Sequence, residues 1–210
     1  MIWSQTHFNK AEKLFEAGKF DQAQPLFESY LKENPSHLKT IEYLGDIAGH
    51  NKSWDKAIGY YQKLKEKKPS EANYYYKYGG VLGMKAKESN KFKALGLIGE
   101  IKKSFEKAIE LNPKHIEARW ALVMLYIQLP GIVGGSESKA IKYSNELLKL
   151  SPVDGYLSRG QIEEYFKRYP AAEQQYKKAI AAGSTKVGGK MLENFYKKIP
   201  PAPEGGVKKG

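Results

Sequence analysis

Four histidines, one glycine-rich loop and a few carboxylate pairs are the residues of this chain whose types could do chemistry. His7, His37, His50 and His115 offer ring nitrogens for a metal or for general-base work. No two of them stand three or four residues apart, the spacing that puts two ligands on one helical face. His37 and His115 each follow a proline by two residues, so a repeated turn accounts for them. Glu163 and Glu164 are adjacent and diverge on a helix rather than converging on a substrate. Gly131-Ile132-Val133-Gly134-Gly135-Ser136 would present backbone N–H groups to an anion if it opened a helix. A phosphate-binding loop, however, needs Gly-x-x-x-x-Gly-Lys-Ser/Thr after a strand. Here the spacing is wrong, no lysine follows directly and Glu137 repels an anion. An enlarged loop between helices, with Ser136 as helix cap, is the reading that fits. No nucleophile has an evident base partner, and the absence of cysteine removes disulfides, thiolate catalysis and Cys-ligated zinc. The chain is expected to be no enzyme, with no catalytic residue, metal or cofactor.

The elements that would position any site repeat. Phe20, Ala23, Phe27, Tyr30 and Pro35 recur as Trp54, Ala57, Tyr61, Leu64 and Pro69, and the two prolines are 34 residues apart. Spacings of three and four put these residues on one helical face, and the small Ala lets a neighbouring helix approach closely. A fixed period of this size indicates a repeat architecture. Five repeats follow, near 4–37, 38–71, 72–115, 116–152 and 153–184. Pro69 to Pro113 spans 44 residues, and the ten extra are expected to lengthen the second helix of the third repeat. Pro113 to Pro152 spans 39, with the five extra in the Gly131–Ser136 loop. The fifth repeat is the most degenerate and has Ser184 where proline is expected. Residues 187–199 read as an amphipathic capping helix, which shields the last repeat from water. Residues 200–210, rich in Pro, Gly and Lys, are expected to form a disordered tail.

Composition bounds the partners. Of 210 residues, 41% are hydrophobic and 28% charged, enough for a core. No run of about eighteen apolar residues exists, so no transmembrane segment is expected. Net charge is +12, which raises an anionic partner, nucleic acid or membrane surface, as an alternative. Only Arg119, Arg159 and Arg168 are arginines among the 35 basic residues, and the lysines are interspersed with glutamates. Lysine is a hydrated point charge, whereas bidentate phosphate recognition favours arginine, which argues against nucleic acid. Ile2-Trp3-Ser4-Gln5 reads either as the tail of a truncated signal or as an ordinary first helical turn. The compartment, cytoplasmic or periplasmic, stays open.

Leu44-Gly45, Trp54, Ala57, Tyr61 and Pro69, with their echoes through the other repeats, resemble the tetratricopeptide repeat over roughly residues 4–184. The long third repeat, the Pro130–Ser136 loop and Lys139-Ala140 further resemble a group of bacterial, often exported, tetratricopeptide proteins. The resemblance implies an all-α fold, a right-handed α-solenoid of about five helix hairpins plus a C-terminal capping helix. It also implies that the first helix of each pair builds a concave groove. The groove positions of the family fall here on Phe8 and Glu12, then Lys39, Glu42, Tyr43, Asp46 and His50, then Asn73, Tyr76, Lys77, Gly80 and Met84. Trp120, Met124, Ile127 and Gln128 follow, and finally Leu157, Ser158, Gln161, Glu164 and Tyr165. Members that clamp the terminal carboxylate of chaperones carry Lys and Asn in the first of these repeats, where this chain has Phe8 and Glu12. Only Lys77 agrees in charge, so no dicarboxylate-clamp ligand is expected. What the resemblance implies is a scaffold that binds a peptide or helical segment of a protein partner, with self-association left open. A small-ligand subunit of an exported envelope or uptake assembly is a further alternative. Whether the groove aromatics line the groove or pack between repeats also stays open.

Overall fold

A computed structural model describes residues 2–183 and 185–198. Ser184 and the expected tail at 200–210 lie outside the described residues. Among those described there are eleven α-helices and one short 3-10 turn, and no strand. They are α1 (Ile2–Glu16), α2 (Phe20–Glu33), α3 (Leu38–His50), α4 (Trp54–Lys67), α5 (Ala72–Glu88), α6 (Lys91–Leu111), α7 (Ile116–Gln128), α8 (Glu137–Leu150), α9 (Pro152–Tyr165), α10 (Tyr169–Ala181) and α11 (Thr185–Lys198). No described helix is long and apolar enough to cross a membrane. The chain divides into two compact units, residues 1–118 and 119–210, with the division falling inside α7.

Within each unit the same small-against-large contact closes the hairpins. Ala23, Ala57, Ala108, Ala140 and Ala172 are all fully buried. In the second, third and fifth hairpins the first helix carries a glycine opposite the aromatic of the second helix. A Cβ placed on Gly45 would lie 3.0 Å from the Tyr61 ring, one on Gly79 2.9 Å from Phe105, and one on Gly160 2.3 Å from Tyr176. These rings occupy the room a side chain would need. Burying each contributes on the order of 1.5–3 kcal/mol, the usual worth of a large apolar side chain.

The turns obey local rules. Gly18 closes the first hairpin at φ 71°, and Lys52 and Lys167 hold the corresponding left-handed position at φ 55° and 60°. His37 caps α3: its Nδ1 accepts the Thr40 backbone N–H. His115 does the same for α7, accepting from Ala118, so repetition of one turn explains both histidines. Pro152 opens α9, its missing N–H costing nothing at a first helical position, and Ser151 caps that helix.

The insertion in the third hairpin is shared. α5 runs 17 residues and α6 21, against 13 and 14 in α3 and α4. Both helices grow at the same end, because their outer ends keep the spacing of the neighbouring repeat. A solvated antiparallel pair gains from matched lengths, which the expectation of a single lengthened helix did not include.

In unit 2, α11 lies against α10. Phe195 is fully buried, 5.5 Å from the Tyr176 ring and 6.2 Å from Tyr169. It closes the apolar end of the fifth hairpin.

Candidate functional site

The first helices of unit 1 carry a chain of polar contacts that runs from repeat to repeat. Glu12 on α1 accepts hydrogen bonds from Lys39 and Tyr43 on α3. Glu42 and Asp46, one helical turn apart on α3, both accept from Lys77 on α5, at 2.7 and 2.8 Å. Tyr61 on α4 donates its hydroxyl to Asp46 from behind. Lys77 thus sits between two carboxylates of the preceding repeat, and Lys39, whose side chain is 57% exposed, is paired with one.

The electrostatics follow from these contacts. The Lys39 ammonium, then the Tyr43 hydroxyl, hold the Glu12 carboxyl below its ordinary value. Desolvation opposes the charge on Lys77, but the hydrogen bonds to Asp46 and Glu42 outweigh it and keep that lysine above its ordinary value. Burial, then the Asp46 charge, pushes the Tyr61 hydroxyl well up, so it remains a donor.

Of the residues expected to line a groove in unit 1, Phe8 is buried instead. Its ring lies 5.9 Å from Phe27 and 5.1 Å from Tyr30, inside the core of the first two hairpins. Tyr43 is half-buried, stacked on Phe27 at 4.8 Å, with only its hydroxyl side turned to Glu12. Tyr76 is half-buried against His115 at 5.0 Å and Phe105 at 6.0 Å. Asn73 is half-buried as well, and Met84 is exposed. Neither Asn73 nor Tyr76 uses its side-chain polar atoms in a hydrogen bond among the described residues.

Unit 2 has its own set. The Trp120 indole N–H donates to Asp154 at 2.8 Å, and the ring is packed against the core formed by Leu157, Tyr176 and Phe195. Gln161 donates to the Tyr176 hydroxyl, which itself donates to Glu164. Met124 is half-buried, Gln128 is exposed, and Tyr165 is half exposed beside Phe166. Leu157 and Ser158 are buried.

The glycine-rich loop is explained by its own geometry. The successive backbone N–H groups of Val133, Gly134, Gly135 and Ser136 donate to the carbonyls of Pro130, Gly131, Pro130 and Tyr126. Gly134 has φ 97°, and a Cβ on Gly135 would strike the Leu129 carbonyl oxygen. The Ser136 hydroxyl accepts from Lys139 N–H and caps α8. Donors already spent in this way cannot cradle a phosphate. Among the described residues no three His, Asp or Glu side chains cluster as metal ligands would.

Sequence reasoning put Glu12, Lys39, Asp46 and Lys77 on one wall, yet did not show that they pair. It missed Tyr61 as a second partner of Asp46, although Tyr61 stands at the repeat's aromatic position.

The family profile of the tetratricopeptide repeat matches residues 8–72. No curated protein matches the sequence significantly. Solved structures share the fold at low identity. TTC0263, a thermophilic tetratricopeptide protein of Thermus thermophilus, superposes with a TM-score of 0.72 at 17% identity, covering 92% of this chain and 99% of that one. MamA superposes with 0.65 at 22%, covering 84% and 95%. YrrB, described as having an unusual peptide-binding site, superposes with 0.60 at 18%, covering 92% and 91%.

Proposed function

We propose that this array of tetratricopeptide repeats is a non-catalytic protein-interaction scaffold, holding a peptide or helical segment of a partner along the first helices of its hairpins. The repeat fold supports the general role, and YrrB, described as having an unusual peptide-binding site, is a precedent for such a site on this fold. One observation carries the finer reading: the charged groups on the unit 1 wall are already paired with one another, Lys39 to Glu12 and Lys77 to Glu42 and Asp46. An acidic C-terminus would have to compete with carboxylates that are held in place, and would find no spare cation among these residues. What the wall leaves over for a partner is Asn73, the Tyr76 hydroxyl, the exposed His50 ring and Met84, three polar groups and a flexible apolar one. Met side chains adapt to varied partners, and Tyr anchors with little entropic loss. In unit 2 the corresponding groups are Met124, Gln128 and Tyr165. The partner segment is therefore apolar and amide- or hydroxyl-bearing rather than acidic.

The test is affinity capture from a lysate of the source organism, with wild type beside Asn73→Ala and Met84→Glu. Both positions are at least partly solvent-accessible, so helical content by circular dichroism stays unchanged. Capture falls at least tenfold in the variants; capture equal to wild type in both would remove the wall from the function.

A further inference from the structure

The inner ends of the long α5 and α6 helices carry groups that the partner-binding wall does not use. α6 exceeds α4 by seven residues and α5 exceeds α3 by four, so the tip extends about 6–10 Å beyond the neighbouring hairpin at 1.5 Å per residue. At that tip Phe92 is 88% exposed and Leu95 46% exposed. Both lie on the outer face of α6, while Ala94, Leu97, Ile98 and Ile101 turn inward. Gly96 and Gly99 complete the outer face. A Cβ on either would meet nothing within 4 Å, so packing does not account for these glycines.

Lysines outnumber carboxylates around this strip, where Glu88 and Glu100 are the acidic groups of α5 and α6 closest to it in sequence. Lys91 and Lys93 flank Phe92, Lys87 precedes the turn, and none of the three has an ion-pair partner among the described residues. Two of the nearby acids are paired with other cations, Glu88 with Lys52 beside the Trp54 indole and Asp55 with Lys85, while Glu100 accepts from the neutral Tyr78 hydroxyl and keeps its charge, one carboxylate against three lysines. The tip therefore pairs exposed apolar side chains with unneutralised lysines.

We propose that this tip docks the protein on an anionic lipid surface, with Phe92 and Leu95 entering the interface and Lys87, Lys91 and Lys93 meeting the headgroups. Two features favour lipid over an acidic protein. A protein partner needs complementary area, on the order of 800 Å² per side, and a groove for its anchor. The tip is convex, and Phe92 projects from it with most of its ring in solvent. A fluid surface needs no such complement, and the diffuse point charge of lysine suits headgroups that move. The reading is independent of the wall on the first helices.

The test is co-sedimentation of the full chain with phosphatidylcholine vesicles and with phosphatidylcholine vesicles containing phosphatidylserine. Wild type binds the second and not the first, and binding weakens as salt is raised. Phe92→Ala weakens binding about tenfold, from lost burial of the ring. Lys91→Glu with Lys93→Glu weakens it at least about 25-fold, at roughly fivefold per lysine. Lys56→Glu with Lys63→Glu, on exposed α4 lysines, makes the same change in net charge and leaves most of the binding in place. Absence of wild-type binding, equal loss in the α4 control, or full binding by Phe92→Ala would each overturn the proposal. Phe92-dependent binding to a polyglutamate peptide without vesicle binding would overturn it in favour of an acidic protein.

Discussion

Two helical glycines are expected to respond to the same substitution with opposite sign. At Gly160 a Cβ would stand 2.3, 2.6 and 2.9 Å from three atoms of the Tyr176 ring. Ordinary carbon contacts are about 3.5–4.0 Å, so the ring must retreat by more than an ångström. It has nowhere to go: Tyr176 is fully buried, its hydroxyl is tied to Gln161 and Glu164, and Phe195 lies behind it. Overpacking costs about 1–3 kcal/mol, and a methyl driven this far into a ring that cannot retreat belongs in the upper part of that range, about 2–3 kcal/mol, against about 1 kcal/mol gained from the better helix propensity of alanine. Gly160→Ala is therefore destabilising by about 1–2 kcal/mol, a fall of about 2–8 °C in Tm. Gly59 sits exposed in the middle of α4 with nothing within 4 Å of an added methyl, so Gly59→Ala keeps the propensity gain and stabilises by up to about 1 kcal/mol. Gly45, with its closest contact at 3.0 Å, falls between and should be near neutral. Urea unfolding followed by far-ultraviolet circular dichroism measures all three. Equal stability of wild type and Gly160→Ala, or a destabilised Gly59→Ala, would refute the claim that interlocking of glycine and ring holds the hairpins.

Three further outcomes follow from particular contacts. Lys77→Met leaves Glu42 and Asp46 facing each other without a cation. Because the three side chains are about a quarter exposed, the cost is about 2 kcal/mol rather than the larger figure for a fully buried pair, and adding Glu42→Gln with Asp46→Asn recovers most of it in thermal melts. Lys167→Gly removes a left-handed side chain at φ 60° and raises stability by about 1 kcal/mol, read as an increase of about 2–4 °C in Tm. His37 is held below its ordinary value by desolvation and then by Lys39, so its folded pKa is lower than its unfolded one. The stabilisation is present above about pH 6.5 and is lost as pH falls through the folded value, because a protonated Nδ1 can no longer accept from Thr40. The urea-midpoint difference between wild type and His37→Ala, worth about 1 kcal/mol at neutral pH, shrinks on acidification; a constant difference would count against the cap.

How much could be read from residues alone depended on range. The spacing of Ala57, Tyr61 and Pro69 revealed the hairpins because a helical face is a local property of the chain. The cap made by His37 was legible as a turn that recurs at His115. The same register placed Phe8 and Trp120 on first helices but could not say what covers them. Phe8 faces Phe27 and Tyr30, and Trp120 is drawn toward Asp154, because the neighbouring helices supply large partners from a distance in sequence. The pairing of Lys77 with Glu42 and Asp46 spans 35 and 31 residues, beyond any pattern visible within one repeat. The shared lengthening of α5 and α6 was hidden for a related reason: the proline interval fixes a total, and the point at which the chain reverses depends on tertiary fit.

The ion pairs of the unit 1 wall join one hairpin to the next rather than to itself. A hairpin removed from the beginning of the chain would leave Lys39 idle and uncover the Leu44 and Ile47 face of α3, but would not disturb Lys77, whose partners travel with the second hairpin. Such a design can be shortened or extended in whole modules, each edit costing a single junction, and this makes the protein a natural substrate for gene duplication and for building longer or shorter versions by hand.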